Sequence, residues 1–231
     1  MPSLLHALQT TIGRKILTGI TGIFLTLFLV VHLAGNFSLF SSNPEAFNAY
    51  TEFLHSLGAL LYIVEIILVV VFLLHAYIGI SIWLRKRKAR PESYDVYKTS
   101  GEPSRQTIAS RTMALTGVVI LVFTIVHLFT FKWGPGIAEG YVTYIDGQEV
   151  RDLKRLVNDV FQNEFYVIGY TAVMILIGFH LRHGVWSSLQ SLGAMSPKMS
   201  PVIYTIGGLI ALALAAGFLV VPIWIYITGG V

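Results

Sequence analysis

Long apolar runs separated by short polar segments dominate the chain, and this alternation predicts membrane-spanning helices. A helix rises about 1.5 Å per residue, so about 20 apolar residues cross roughly 30 Å of hydrocarbon. The first run is too long for a signal peptide, whose apolar region has roughly 7–15 residues, and is predicted to be a retained span. The pattern predicts an all-α, single-domain bundle of five transmembrane helices over residues 1–231, at about 16–38, 58–84, 112–132, 165–187 and 202–227. No internal repeat is evident at this level.

The polar segment between the third and fourth spans has its own periodicity, which predicts an interfacial amphipathic helix at about 149–163. Two roles are open for it. It is either a cap over a site near this surface or a helix whose apolar face meets the membrane, and we favour the second. The apolar positions are Val150, Leu153, Leu156, Val157, Val160 and Phe161.

Composition agrees with a bilayer as the solvent. The chain is 55% hydrophobic and 12% charged, with a mean hydropathy of +0.70, whereas soluble domains carry about 25% charged residues. It has no cysteine, which excludes disulfides, iron–sulfur clusters and covalently attached haem within this chain. A redox metal would therefore need histidine or methionine ligands.

The basic residues report orientation rather than nucleic-acid binding, because they cluster beside apolar runs. By the positive-inside rule, the segment after the second span is cytoplasmic. The loop at 133–164 then lies outside, the N-terminus is cytoplasmic and the C-terminus is outside. Half of the sixteen Lys and Arg residues lie in the cytoplasmic segment: Arg85, Lys86, Arg87, Lys88, Arg90, Lys98, Arg105 and Arg111.

Each of the first four spans contains a histidine at a depth where ionisable groups are rare and usually functional. Helix rise places His32 and His127 at similar depths, both roughly 25 Å from the cytoplasmic basic residues, and we call them the outer pair. His75 and His180 match each other nearer the cytoplasm and form the inner pair. Haem iron needs only two protein ligands, whereas other metals usually recruit more. The pattern predicts two bis-histidine haem sites.

Other polar and small residues near the histidines suggest supporting roles. Gly79 and Gly184 follow the inner histidines by four residues, which either makes room for a porphyrin or allows close helix packing. His183 competes with His180 as a ligand; we prefer His180 and read Arg182 and His183 as partners of a haem propionate. Glu65, seven residues into the second span, is either a proton-handling carboxyl or a group bonded to another helix.

Six short motifs, in this order and spacing, together cover nearly the whole chain. They are Thr21-Gly22 with Val31-His32-Leu33, Pro44-Glu45-Ala46-Phe47-Asn48, Leu74-His75-Ala76-Tyr77-Ile78-Gly79, Met113-Ala114-Leu115-Thr116-Gly117, Val126-His127-Leu128, and Phe179-His180-Leu181-Arg182-His183-Gly184-Val185-Trp186. With them the chain resembles the five-helix, di-haem cytochrome b anchor of bacterial succinate dehydrogenase and fumarate reductase.

The resemblance implies two b-type haems, with the distal haem on the outer pair and the proximal haem on the inner pair. It implies a bacterial cytoplasmic membrane, a flavoprotein that carries the succinate/fumarate chemistry, an iron–sulfur subunit, and quinone, usually menaquinone, as the substrate at this chain. Some fumarate reductases of this type have a glutamate two residues before the fourth haem histidine. That position is Gly178 here, which favours succinate oxidation.

Two alternatives stay open. One is another di-haem cytochrome b, such as the anchor of a hydrogenase or formate dehydrogenase or a transmembrane ascorbate-dependent reductase. The other is a cofactor-free, proton-coupled transporter or channel in which the buried histidines and Glu65 carry protons.

Overall fold

The computed structural model describes residues 10–89 and 107–230. Seven α-helices and one β-hairpin are defined within these ranges. They are α1 (Thr11–Asn36), α2 (Ala46–Ser56), α3 (Ala59–Ala89), α4 (Ile108–His127), β1 (Val142–Ile145), β2 (Gln148–Arg151), α5 (Leu153–Phe161), α6 (Glu164–Ser191) and α7 (Ser200–Thr228). A 3-10 turn (Phe37–Phe40) extends α1, and a π-helical turn (Leu128–Lys132) extends α4.

The predicted all-α class with five spans is confirmed, because α1, α3, α4, α6 and α7 are each long and apolar enough to cross a bilayer. The chain is a multi-pass membrane protein. The helices run past the predicted bounds since polar residues continue their ends; α3, for example, includes the basic run up to Ala89. Most of the predicted cytoplasmic segment, 90–106, lies outside the described residues.

The described residues fall into two compact units. The first contains those up to Leu27, those between Leu68 and Val119, and those between Leu176 and Ala213. The second contains Phe28–Ile67, Ile120–Ile175 and the residues from Leu214 onward. The inner histidine pair belongs to the first unit and the outer pair to the second, so both members of each pair lie in the same unit.

In the first unit, α1 approaches α6 through small residues. A Cβ added at Gly19 would lie 3.3 Å from the carbonyl oxygen of Ser188, and one at Gly22 would lie 3.3 Å from the Ser188 hydroxyl. Helix α7 approaches α6 in the same way, with Gly207 against Val185. Small residues let membrane helices pack closely where the hydrophobic effect gives no driving force between them.

In the second unit, a hairpin occupies the beginning of the predicted amphipathic helix. Strands β1 and β2 pair antiparallel, with Thr143 opposite Val150. The turn is Asp146-Gly147, with φ of 50° and 78° at the two residues, as a two-residue hairpin turn requires. The prediction of helix from 149 is therefore wrong for the first residues, because these backbone groups pair with β1. The helix begins at Leu153, where the Asp152 carboxylate accepts a hydrogen bond from the Arg155 N–H at 3.0 Å.

The apolar face of α5 lies against protein. Leu156, Val157 and Phe161 are all buried, and the Phe161 ring packs 5.0 Å from the ring of Tyr170 on α6. The interpretation of this face as membrane-facing is therefore wrong, and the alternative interpretation as a cap agrees with these contacts. Beside it, buried Asn48 of α2 donates to Asp152 Oδ1 at 2.8 Å and accepts from the Lys154 N–H at 2.9 Å.

Candidate functional site

The two histidines of the inner pair face each other within the first unit. His75 on α3 and His180 on α6 have ring centroids 6.4 Å apart and ring planes inclined by 66°. Both side chains are half-buried. The two rings therefore lie next to each other, one on each of two neighbouring helices.

A buried threonine hydroxyl contacts each inner histidine. Thr21 Oγ1 on α1 lies 3.0 Å from His75 Nδ1, and Thr116 Oγ1 on α4 lies 3.0 Å from His180 Nδ1. Both threonines are fully buried, at 6% and 3% exposure. Both hydroxyls also lie within hydrogen-bond distance of backbone carbonyls one turn back, at 2.8 Å from Leu17 O for Thr21 and at 3.1 Å from Thr112 O for Thr116.

Glycines clear the space around these rings. A Cβ added at Gly22 would lie 3.2 Å from His75 Cε1, and one at Gly117 would lie 3.5 Å from His180 Cε1. Apart from the backbone of its own helix, a Cβ at Gly79 or Gly184 would meet no heavy atom of the described residues within 4 Å. The sequence left two interpretations of Gly79 and Gly184, close helix packing and room for a porphyrin. No contact at these positions supports close packing. The open space is what a planar ligand would need.

The two histidines of the outer pair face each other within the second unit. His32 on α1 and His127 on α4 have ring centroids 5.9 Å apart, with planes inclined by 89°. Each histidine contacts a phenylalanine four residues earlier on its own helix. Phe28 stacks on His32 at 5.4 Å, and Phe123 lies 5.7 Å from His127.

The polar contacts of the outer pair are longer than those of the inner pair. Tyr170 OH lies 3.4 Å from His127 Nδ1, and Asn36 Nδ2 lies 3.5 Å from His32 Nε2. Tyr170 is buried and packs against Phe161 of α5, and Phe131 also lies between Phe161 and His127, so two aromatic rings connect the capping helix with the outer pair.

The remaining predicted site residues have different surroundings. Arg182 is exposed. His183 packs edge-on against Trp186 at 5.0 Å, and its buried Nδ1 has no hydrogen-bond partner among the described residues. Glu65 forms an ion pair with Lys132 at the end of α4, with both side chains about one-third exposed. Glu65 is therefore bonded to another helix, which is one of the two interpretations given for it.

Sequence reasoning missed the roles of Thr21 and Thr116, although a signal for them exists. Residues 21–33 and 116–128 match at six of thirteen positions, including Thr-Gly at the start and His-Leu at the end. The threonine and histidine of each segment are eleven residues apart, which is three helical turns, so they lie on one face. The two segments form an internal repeat, contrary to the sequence-level expectation of none.

Within the described ranges, no group of three or more metal-ligating side chains comes together, so the histidines meet only in pairs. Comparison of the chain with known proteins finds no matching family model, no matching curated protein and no matching solved structure. The geometry of these pairs and the sequence motifs therefore carry the functional argument.

Proposed function

We propose that this chain is a di-haem cytochrome b that anchors a succinate:quinone oxidoreductase in a bacterial cytoplasmic membrane. The observation that carries the proposal is the spacing of the rings in each histidine pair. Because a ring nitrogen binds a metal at about 2.0–2.1 Å, imidazoles on opposite sides of one iron have centres about 6 Å apart. The inner and outer pairs have centroids 6.4 Å and 5.9 Å apart.

The assignment of residues follows the two pairs. His75 and His180 would hold the inner haem, and His32 and His127 would hold the outer haem. The open space at Gly79 and Gly184 supports a flat macrocycle beside the inner pair. Arg182 and His183, in the half of α6 predicted to lie nearer the cytoplasm, stay assigned as propionate partners. Haem bound in this way supplies one-electron transfer.

The partners are inferred from the resemblance. A flavoprotein and an iron–sulfur subunit on the cytoplasmic side would exchange electrons with the inner haem, and membrane quinone, expected to be menaquinone, would exchange them with the chain. The absence of cysteine supports this division, because the iron–sulfur clusters must then belong to another subunit. Gly178 in place of a glutamate favours the succinate-oxidising direction.

The first test is a reduced-minus-oxidised visible spectrum of the purified protein, together with haem content per chain. We expect a b-type spectrum with two haems per chain. Replacing His75 or His180 with alanine should remove one haem, and replacing His32 or His127 should remove the other. His55→Ala on α2 is the matched control, since it removes an imidazole outside the pairs. A protein without a b-type spectrum would exclude the cytochrome proposal and leave the transporter alternative.

A second test separates the proposed complex from other cytochrome b anchors. Mild detergent extraction of cells should co-purify a flavoprotein and an iron–sulfur subunit with succinate:quinone activity. Recovery with a hydrogenase or formate dehydrogenase subunit would instead favour the first alternative.

A further inference from the structure

We propose that Thr21 and Thr116 are positioning residues that fix the tautomer of the inner histidines, and so set the reduction potential of the inner haem independently of the outer one. This inference rests on the proposed function for its redox consequence. The tautomer of each inner histidine, in contrast, depends only on the contacts of the described threonines and histidines.

The hydroxyl hydrogen of each threonine has an acceptor within its own helix. A threonine hydroxyl has one hydrogen and two acceptor lone pairs. In a helix this hydrogen commonly goes to a carbonyl one turn back, and both threonines have such carbonyls in reach: Leu17 O at 2.8 Å for Thr21 and Thr112 O at 3.1 Å for Thr116. The oxygen then meets the histidine as an acceptor.

The two nitrogens of each inner histidine ring then have different roles. Since each Thr Oγ1 accepts, the nitrogen 3.0 Å away, His75 Nδ1 or His180 Nδ1, must carry the ring hydrogen. A neutral imidazole has one N–H, so Nε2 keeps its lone pair. That is the nitrogen left free to bind iron, and the threonine prepares it before any metal arrives.

Hydrogen bonding at Nδ1 would change the electron density on a bound iron. An acceptor on the far nitrogen makes an imidazole ligand more basic, and hydrogen bonding around a haem is one of the protein's means of setting its potential. A more basic ligand stabilises the oxidised iron. Removing the acceptor should therefore make the inner haem easier to reduce, with no such effect on the outer haem.

The experiment is a potentiometric titration of the haems in Thr116→Val, Thr116→Ser and Thr124→Val variants of the full chain. Valine keeps the shape of threonine but not its hydroxyl. We expect Thr116→Val to shift the reduction equilibrium of one haem about tenfold toward the reduced form, which is about 59 mV for one electron. Thr116→Ser should restore the wild-type value. Thr124→Val is the matched control, because Thr124 makes the same bond, to Ile120 O at 2.8 Å, and within the described residues its hydroxyl meets no histidine.

A second readout does not depend on haem. Nitrogen NMR of the ring-labelled apoprotein should show His180 protonated at Nδ1 in the wild type and a tautomer mixture in Thr116→Val. Unchanged potential and tautomer in Thr116→Val would overturn the inference while leaving the cytochrome proposal intact. A wild-type protein that never binds haem would overturn the proposed function, and the NMR result alone would then decide the tautomer.

Discussion

At the residue scale, the two histidine pairs are held by different chemistry. The inner rings contact buried hydroxyls at 3.0 Å, whereas the outer rings pack against phenylalanines, and among the described residues their polar neighbours lie at 3.4 Å and 3.5 Å. A hydrogen bond fixes which nitrogen is protonated, while an aromatic contact fixes only the plane of the ring. The inner pair is therefore the more strictly specified of the two.

Glu65 carries a prediction at this scale. Its ion pair with Lys132 explains how a carboxylate is accommodated near the end of a span. If it also handles protons for quinone, Glu65→Gln should lower the rate of quinone reduction on the order of 10²-fold, because acid–base catalysis contributes that much or more. The rate is measured with both haems present, as judged from the spectrum.

Lys132→Met is the control for Glu65, since it breaks the same ion pair and keeps the carboxyl group. This variant should retain most of the activity. A normal rate in Glu65→Gln would sink the proton-handling hypothesis, and equal losses in both variants would assign the pair a structural role instead.

At the element scale, one short hairpin decides how α5 is placed. Arg151 at the end of β2 donates to three backbone carbonyls, those of Lys132, Gly134 and Pro135, and so ties the hairpin to the end of α4. Asp152 then starts α5, whose Phe161 reaches Tyr170. A polar anchor at one end and an aromatic contact at the other hold this cap over the outer pair.

Asn48 should be a main support of this cap. Asn48→Ala leaves the Lys154 N–H without its acceptor, which costs about 1–3 kcal/mol, and removes one of the two donors to the half-buried Asp152 carboxylate. The expected result is a lower midpoint of thermal unfolding in detergent. Asn43→Ala is the matched control, because Asn43 bonds its own loop and is exposed. A loss no greater in Asn48→Ala than in the control would contradict this role.

Sequence predicted the elements that depend on hydropathy, and missed those that depend on short-range pairing. A run of about twenty apolar residues crosses a bilayer as a helix, because the helix satisfies all of its backbone hydrogen bonds internally, so the five spans were predictable. Val150 fits both a helical period and the inward side of a strand, and the Asp146-Gly147 turn signal was needed to choose. The histidine pairs followed from depth, but Thr21 and Thr116 did not, because an isolated threonine in a membrane helix most often only bonds its own backbone.

At the scale of the whole molecule, the orientation stays a prediction from charge. The chain has no cysteine, so single cysteines report accessibility without background. A membrane-impermeant maleimide added to intact cells should label Glu149→Cys in the β2 strand and should not label Lys88→Cys near the end of α3. Both positions are exposed. After cell lysis both should react. Labelling of Lys88→Cys alone in intact cells would reverse the predicted topology.

The way in which the histidines are paired has a consequence for biosynthesis. The members of the outer pair are 95 residues apart in the chain, and those of the inner pair 105 residues apart, so neither site exists until α4 or α6 has been made. At about 5–20 residues per second, a ribosome needs several seconds or more between the two halves of one site. If the chain binds haem between these pairs, the outer site is complete only after His127 has been made and the inner site only after His180. Haem supply would then act as a late checkpoint, in which a starved cell accumulates inserted but immature chains that quality-control proteases can recognise.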